Sequence, residues 1–294
     1  MTTMFETALV TGASSGIGKA VAKRLAREGV HVAISARRTD ALEALADEIE
    51  RAGGKRPIVL LADLSKRGEA ARLGAAAEAA FGSRGVDVLV SNAGVGIGGA
   101  QLVVADDDIA RALFETNYWS PLALARAIAP GMRARGRGHI VHVTSIAAVA
   151  PMPLMGHYAS SKAALSMATD TLRMELRDDP IHVFEVVPGP VDTPMLAETS
   201  LIPGGEEVFK RMPRGTTDVL ADKILRGLRR RREVLVYPGS LAIVRHLPTV
   251  TKAVAGAATR SVDVKDTRAV MGGSTGNAEI AAVRAEAEAR AARA

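Results

Sequence analysis

The chain has 294 residues, 48% of them hydrophobic and 24% charged, which fits one large globular domain or such a domain with a tail. It contains no cysteine, which excludes disulfides and cysteine-ligated metals and is compatible with a reducing compartment. Of the net charge of +6, a local +5 lies in residues 203–232, nine basic against four acidic, but "LRRRR" (Leu228 to Arg232) closes a predicted helix where cations suit the dipole, and aromatics at 3% leave little to stack on bases, so no nucleic acid partner is expected.

From the start to about residue 238, short apolar runs alternate with longer amphipathic ones. The opening "MTTMFETALVTGASSGIG" lacks the basic start and long apolar run of a signal peptide, and a cytoplasmic protein is expected. "TALVTG" reads as a strand, Gly16 to Glu28 as a helix, "VHVAISA" as a strand and Asp40 to Arg51 as a helix. "RPIVLLAD" and "VDVLVSNAG" read as strands flanking a helix from Gly68 to Phe81. Helices near Asp107 to Phe114 and Pro121 to Arg135 precede the strand "GHIVHVTS". A helix from Tyr158 to Arg177, the strand "IHVFEVVPG", a helix from about Asp218 to Arg231 and the strand "REVLVYPG" complete the series. Strands this apolar are buried on both faces, and their alternation with helices predicts an α/β fold with a doubly wound parallel sheet and helices on both faces.

After Gly239 the pattern changes, which divides the chain into a domain at 1–239 and a helical extension at 240–294. Leu241, Val244, Leu247 and Val254 recur at roughly helical spacing and are expected to pack on something, with Arg245, His246 and Lys252 on the polar side and Pro248 breaking the helix. A linker is read at 272–277 and a terminal helix after it. The pocket rim or a second subunit is the expected partner of the extension, with peripheral membrane contact as the less favoured alternative.

Two stretches carry chemistry. "TGASSGIG" (Thr11 to Gly18) joins the first strand to the first helix, and glycines there let backbone N–H groups approach a pyrophosphate. The spacing of Gly12, Gly16 and Gly18 is G-x-x-x-G-x-G, not the commoner dinucleotide fingerprint. "YASSK" puts Tyr158 and Lys162 one helical turn apart on one face, a spacing that also occurs on ordinary helices. His139 and His142 are three apart on a strand and so face opposite sides, and no histidine pair has metal-ligand spacing, so no metal is expected.

With these stretches, Asp63 and Leu64, "NAG" (Asn92, Ala93, Gly94), Asn117, Ser145 and "PGPVDT" (Pro188 to Thr193), the sequence from about Ala8 to Gly239 resembles the short-chain dehydrogenase/reductase family. The resemblance implies a single Rossmann-type domain of about seven parallel strands and a homodimer or homotetramer. It further implies an active site of Asn117, Ser145, Tyr158 and Lys162. Tyr158 would be the acid/base, Ser145 would polarise the carbonyl, Asn117 would position a relay water, and Lys162 would also bond the nicotinamide ribose. Cofactor contacts would come from Gly12, Ser14, Ser15, Gly16, Ile17 and Gly18, from Asp63 and Leu64, from Asn92 to Gly94, and from Pro188, Gly189, Val191 and Thr193. Asn92 would alternatively only brace the sheet.

Lowering a phenol pKa from about 10 toward neutrality takes about 4 kcal/mol, which one ammonium about 4 Å away supplies at an effective dielectric near 20. Lys162 is therefore expected to lower the Tyr158 pKa. Where NAD-using members carry a carboxylate, this chain has Ala36 followed by Arg37 and Arg38, whose guanidinium groups suit the extra phosphate of NADP(H), with Arg37 expected to carry most of the preference and Arg38 to help. The segments Ala150 to His157 and beyond Thr193, including Met195, Leu196, Leu201 and Phe209, suggest a hydrophobic ketone, aldehyde or alcohol as substrate. The expected activity is an NADP(H)-dependent oxidoreductase. The alternatives are an idle NADP(H)-binding regulator, or an epimerase or dehydratase on the same fold.

Overall fold

The computed structural model of the chain describes residues 4–200, 209–210, 212–259 and 268–271. Leu201, the linker at 272–277 and the terminal helix expected after it lie outside these residues. Seven strands form one parallel sheet: β1 (Thr7–Thr11), β2 (His31–Ala36), β3 (Ile58–Leu61), β4 (Val88–Ser91), β6 (Gly138–Val143), β7 (Ile181–Pro188) and β8 (Val234–Tyr237). A separate antiparallel ribbon pairs β5 (Gly96–Gly99) with β9 (Arg268–Met271). The sheet order is β3-β2-β1-β4-β6-β7-β8, so the chain moves outward one way from β1 and the other way from β4. That reversal opens a crevice at the carboxyl ends of these two strands.

Strand alternation builds two cores. Ala8, Val10, Val88 and Val90 face one layer, while Leu9 and Leu89 face the other. The first layer is closed by α1 (Gly16–Arg27), α2 (Thr39–Arg51) and the helix Thr217–Arg229, through Leu25, Leu45 and Ile224. The second is closed by α3 (Glu69–Phe81) through Leu73 and by a long helical run through Ile128. Fully burying each such Leu or Ile is worth about 1.5–3 kcal/mol before conformational entropy is subtracted. Part of the basic cluster is tied down internally, since Arg229 pairs with Glu28 and Arg24 with Asp222, between α1 and the helix Thr217–Arg229.

The long run follows α4 (Gln101–Val104). It consists of α5 (Asp108–Phe114), a π-turn at Glu115–Trp119 and α6 (Ser120–Arg135), where the sequence suggests two separate helices. Pro121 follows the π-turn after one intervening residue, where the regular helical hydrogen-bond ladder is already interrupted. After β6, α7 (Gly156–Glu175) carries the Tyr158 and Lys162 pair.

Beyond β8 the expected apolar stripe is only partly covered by the described residues, which leaves its expected packing on a second subunit untested, and the place expected for Arg245 is corrected. Leu241 is buried and Val244 packs beside it, but Leu247 and Val254 are 49% and 62% exposed. Arg245, expected on the polar side, instead turns inward to the fully buried Glu185 of β7. Pro248 does not only interrupt: it begins the helix Pro248–Ala258, separated at Leu247 from the helix Ala242–His246.

His139 and His142 face opposite layers. The His139 ring packs edge-on against Phe5 at 4.9 Å and against His182 at 5.4 Å. His142 shares a hydrogen bond of 2.9 Å with the Thr169 hydroxyl. Burial pushes both rings down to about 4. Between that value and the usual 6.5, the unfolded chain takes up protons that the folded chain refuses, so stability falls as pH falls through this window. The expected loss is about 2 kcal/mol per ring at pH 5. Urea unfolding at pH 8, 6.5 and 5 measures it, and a flat profile above pH 5 would contradict neutral burial of these rings.

Candidate active site

The crevice is framed first by the turn after β1. Gly12 has φ +65°, and a Cβ there would stand 2.8 Å from Ala93 Cα. At Gly18 a Cβ would stand 2.4 Å from the Gly12 carbonyl oxygen. Gly16, with φ +54°, lies against the Thr193 side chain. The turn thus leaves no room for a side chain at Gly12 or Gly18, and the amino end of α1 faces the crevice without an acidic residue in its first turn. Asn92 braces this turn. Its Nδ2 donates to the carbonyls of Thr11 (2.9 Å) and Gly12 (3.3 Å), while Asn92 N and Ala93 N both donate to Thr11 Oγ1.

Next come the ends of β6 and α7. Ser145 leaves β6 in extended conformation and caps the short turn Ile146–Ala148, its hydroxyl accepting from Ala147 N at 3.2 Å. That hydroxyl also hydrogen-bonds the Tyr158 phenol. Lys162 Nζ donates to the Val143 carbonyl at 2.9 Å and stands 6.0 Å from the centre of the Tyr158 ring. The expected lowering of the phenol pKa by Lys162 does not occur in the protein alone. Burial pushes Tyr158 up, with the Ser145 hydrogen bond pulling the other way, and burial brings Lys162 down to about 8. The physical reason is depth: both groups lose more hydration than their separation returns in attraction.

Asn117 sits at the middle of the π-turn, fully buried. Its Oδ1 accepts from Val95 N (2.9 Å), and its Nδ2 donates to Val95 O (2.8 Å) and to Ser161 Oγ (3.0 Å). Ser161 in turn donates to the Tyr158 carbonyl at 2.8 Å. The Asn117 side chain is therefore spent on fixing the loop after β4 to α7, between the tyrosine and the lysine.

One cavity of about 220 Å³ is lined by the expected Gly12, Ser14, Ser15, Gly16 and Ile17, by Asn92 to Gly94, by Ser145, Tyr158 and Lys162, and by Pro188, Gly189, Val191 and Thr193. Gly18 and Asn117 stand behind its surface. A smaller one of about 70 Å³ shares Gly12, Ser14, Ala93 and Gly94 with it and holds Arg37, Arg38, Asp63 and Leu64. There Asp63 Oδ1 accepts from the Ser65 amide and hydroxyl, while Arg38 Nε and Ser35 Oγ are buried without hydrogen-bond partners. A glycine cradle at one end and unpartnered donors at the other fit a phosphorylated dinucleotide.

The far wall of the larger cavity is apolar: Met152, Met155, Met195, Leu196, Phe209 and Met212. Met212 was not singled out from the sequence, and neither was Ser35 in the smaller cavity. Ser35 had a signal, since it is a polar residue in an otherwise apolar strand. Met212 had none. Among the described residues no group of three or more metal-ligating side chains is gathered, and no helix is long and apolar enough to cross a membrane.

A model of the "short chain dehydrogenase" family matches residues 6–201. A "Short chain dehydrogenase" of Pseudocercospora fijiensis is 39% identical over 198 residues, 67% of this chain but only 63% of that protein. Among solved structures, a short-chain dehydrogenase from Sphingobium yanoikuyae in complex with NADPH is 27% identical with a TM-score of 0.72, covering 90% of this chain and 99% of that one. A short chain dehydrogenase/reductase from Burkholderia phymatum in complex with NAD is 26% identical with a TM-score of 0.74, covering 86% and 97%.

Proposed function

The chain belongs to the short-chain dehydrogenase/reductase family, and from that premise we propose that it is an NADP(H)-dependent oxidoreductase interconverting a hydrophobic ketone or aldehyde and the corresponding alcohol. The observation that carries the reading is the meeting of Ser145, Tyr158 and Lys162 in one cleft with the glycine turn. When bound, the nicotinamide cofactor supplies a hydride to the carbonyl carbon. Ser145 donates a hydrogen bond to the carbonyl oxygen and so favours the charge that develops there. Tyr158, held in its protonated form by burial, gives its proton to that oxygen. Lys162 holds the cofactor ribose and keeps positive charge near the phenol, while Asn117 fixes α7 in register with the crevice and its π-turn positions a relay water.

Arg37 and Arg38 support NADP(H) over NAD(H), because no carboxylate follows β2 to meet a ribose hydroxyl. The methionine-rich wall supports an apolar substrate that such flexible side chains accommodate. The reading further takes residues 1–239 as the catalytic domain and 240–294 as its extension, and places a homodimer or homotetramer in the cytoplasm, in keeping with the absence of cysteine. Loss of NADPH absorbance is expected across a panel of ketones, aldehydes and quinones, with apolar substrates preferred over charged ones. Turnover with NADH alone, or with charged substrates only, would contradict the proposal.

A further inference from the structure

We infer that Arg245, outside the span matched to the family, is a positioning residue for the catalytic site. The inference rests on the function proposed above. Glu185 lies on β7 in an otherwise apolar stretch and has no solvent exposure. Its Oε1 accepts from the Thr144 hydroxyl at 2.9 Å and from the Ser166 hydroxyl at 2.7 Å. Thr144 immediately precedes Ser145, and Ser166 lies one turn beyond Lys162 on α7. One carboxylate oxygen thus joins the strand end that presents Ser145 to the helix that presents Tyr158 and Lys162.

The other oxygen, Oε2, meets Arg245 Nη2 at 2.7 Å, a charge contact and not a well-aligned hydrogen bond. Arg245 also stands 3.7 Å from Asp170 of α7, whose carboxylate is held by Arg173. A buried carboxylate needs a partner to remain charged and in place. Here the partner comes from the helix Ala242–His246. The same segment presses Leu241 and Val244 against Ile146 and Val187, directly behind Ser145, and Gly189 leaves no room for a side chain beside Leu241. Without the guanidinium, Glu185 has no opposing charge in direct contact among the described residues, and Thr144 and Ser166 lose their fixed reference. A displacement of about 1 Å in reacting groups can cost about a hundredfold in rate.

The test uses the full-length protein with NADPH and the best ketone of the panel. Arg245→Met is expected to lower kcat by about tenfold to a hundredfold while the NADPH dissociation constant stays within about twofold. Arg245→Lys is expected to recover most of the loss. The double variant Glu185→Gln with Arg245→Met leaves no unpaired charge, so it serves if the single variant does not fold; it is expected to remain below wild-type kcat because the tie to residue 245 is gone. Amide exchange at residues 144–148 is expected to quicken in whichever of these methionine variants folds. Wild-type kcat in either methionine variant would overturn the inference, since a residue that only supports stability moves the melting temperature and not the rate. A wild-type protein that reduces nothing in the panel overturns the proposed function instead. In that case unchanged exchange at residues 144–148 overturns the positioning role, and faster exchange upholds it.

Discussion

Tyr158→Phe is expected to lower kcat by about two to four orders of magnitude while NADPH binding stays within about twofold of wild type. The ring packs between the apolar clusters around Leu113 and Phe209, and phenylalanine keeps that packing. What it removes is the hydroxyl that Ser145 contacts and the proton that the alkoxide needs. Lys162→Ala is expected to lose both activity and cofactor affinity, because the ammonium stands 6.0 Å from the centre of the phenol ring and, in the function proposed above, would also hold the cofactor ribose. Stopped-flow turnover and NADPH fluorescence titration separate the two effects. A Phe variant that retained more than about a tenth of wild-type kcat, an effect under about 1.4 kcal/mol, would remove the tyrosine from the acid role.

Replacing Arg37 and Arg38 together by alanine is expected to weaken NADPH binding by about tenfold to a few hundredfold and to leave NADH binding nearly unchanged. A hydrogen bond to a charged group is worth about 1.5–3 kcal/mol, and the phosphate that these guanidinium groups would meet exists in only one of the two cofactors. The buried, unpartnered Nε of Arg38 gives it the stronger claim to a fixed contact; Arg37 is exposed. The sequence alone favours Arg37 as the main contact, but this difference in burial reverses the expected order, and Arg38→Ala should be the more damaging single variant. Parallel loss of NADPH and NADH affinity in the double variant would show that these residues shape the turn and do not read the phosphate.

The architecture was legible because strand and helix periods differ and each apolar run falls in a strand of the sheet. The glycine turn and the Tyr158 and Lys162 pair were legible because their chemistry needs fixed spacings along the chain. Other features depend on depth or on distant partners, and these the sequence conceals. Whether burial raises the Tyr158 phenol or Lys162 lowers it depends on how far each group is from water, which no spacing records. Glu185 in "IHVFEVVPG" announces that a buried carboxylate needs a partner, but nothing nearby points to Arg245, sixty residues on. Leu247 and Val254 share a helical spacing with Leu241 yet stay exposed, since periodicity finds a stripe without finding what covers it. The ribbon at Gly96–Gly99 was hidden because glycine has little strand propensity of its own.

The π-turn at Glu115–Trp119 is geometrically one extra residue accommodated within an α-helix. Deleting a single residue there would let α5 and α6 merge into regular helix with their outer faces nearly in register, because the wider turn is what absorbs the extra residue, and only the residues of the turn itself would be drawn inward and re-aimed. The helix would survive in length and composition. Asn117 would no longer reach Val95 and Ser161 together, and the coupling between the loop after β4 and α7 would be lost. At this one place an insertion or deletion in a gene would be nearly silent in helix content and decisive for the alignment of the reacting groups, so a comparison of chains by length alone would misjudge it.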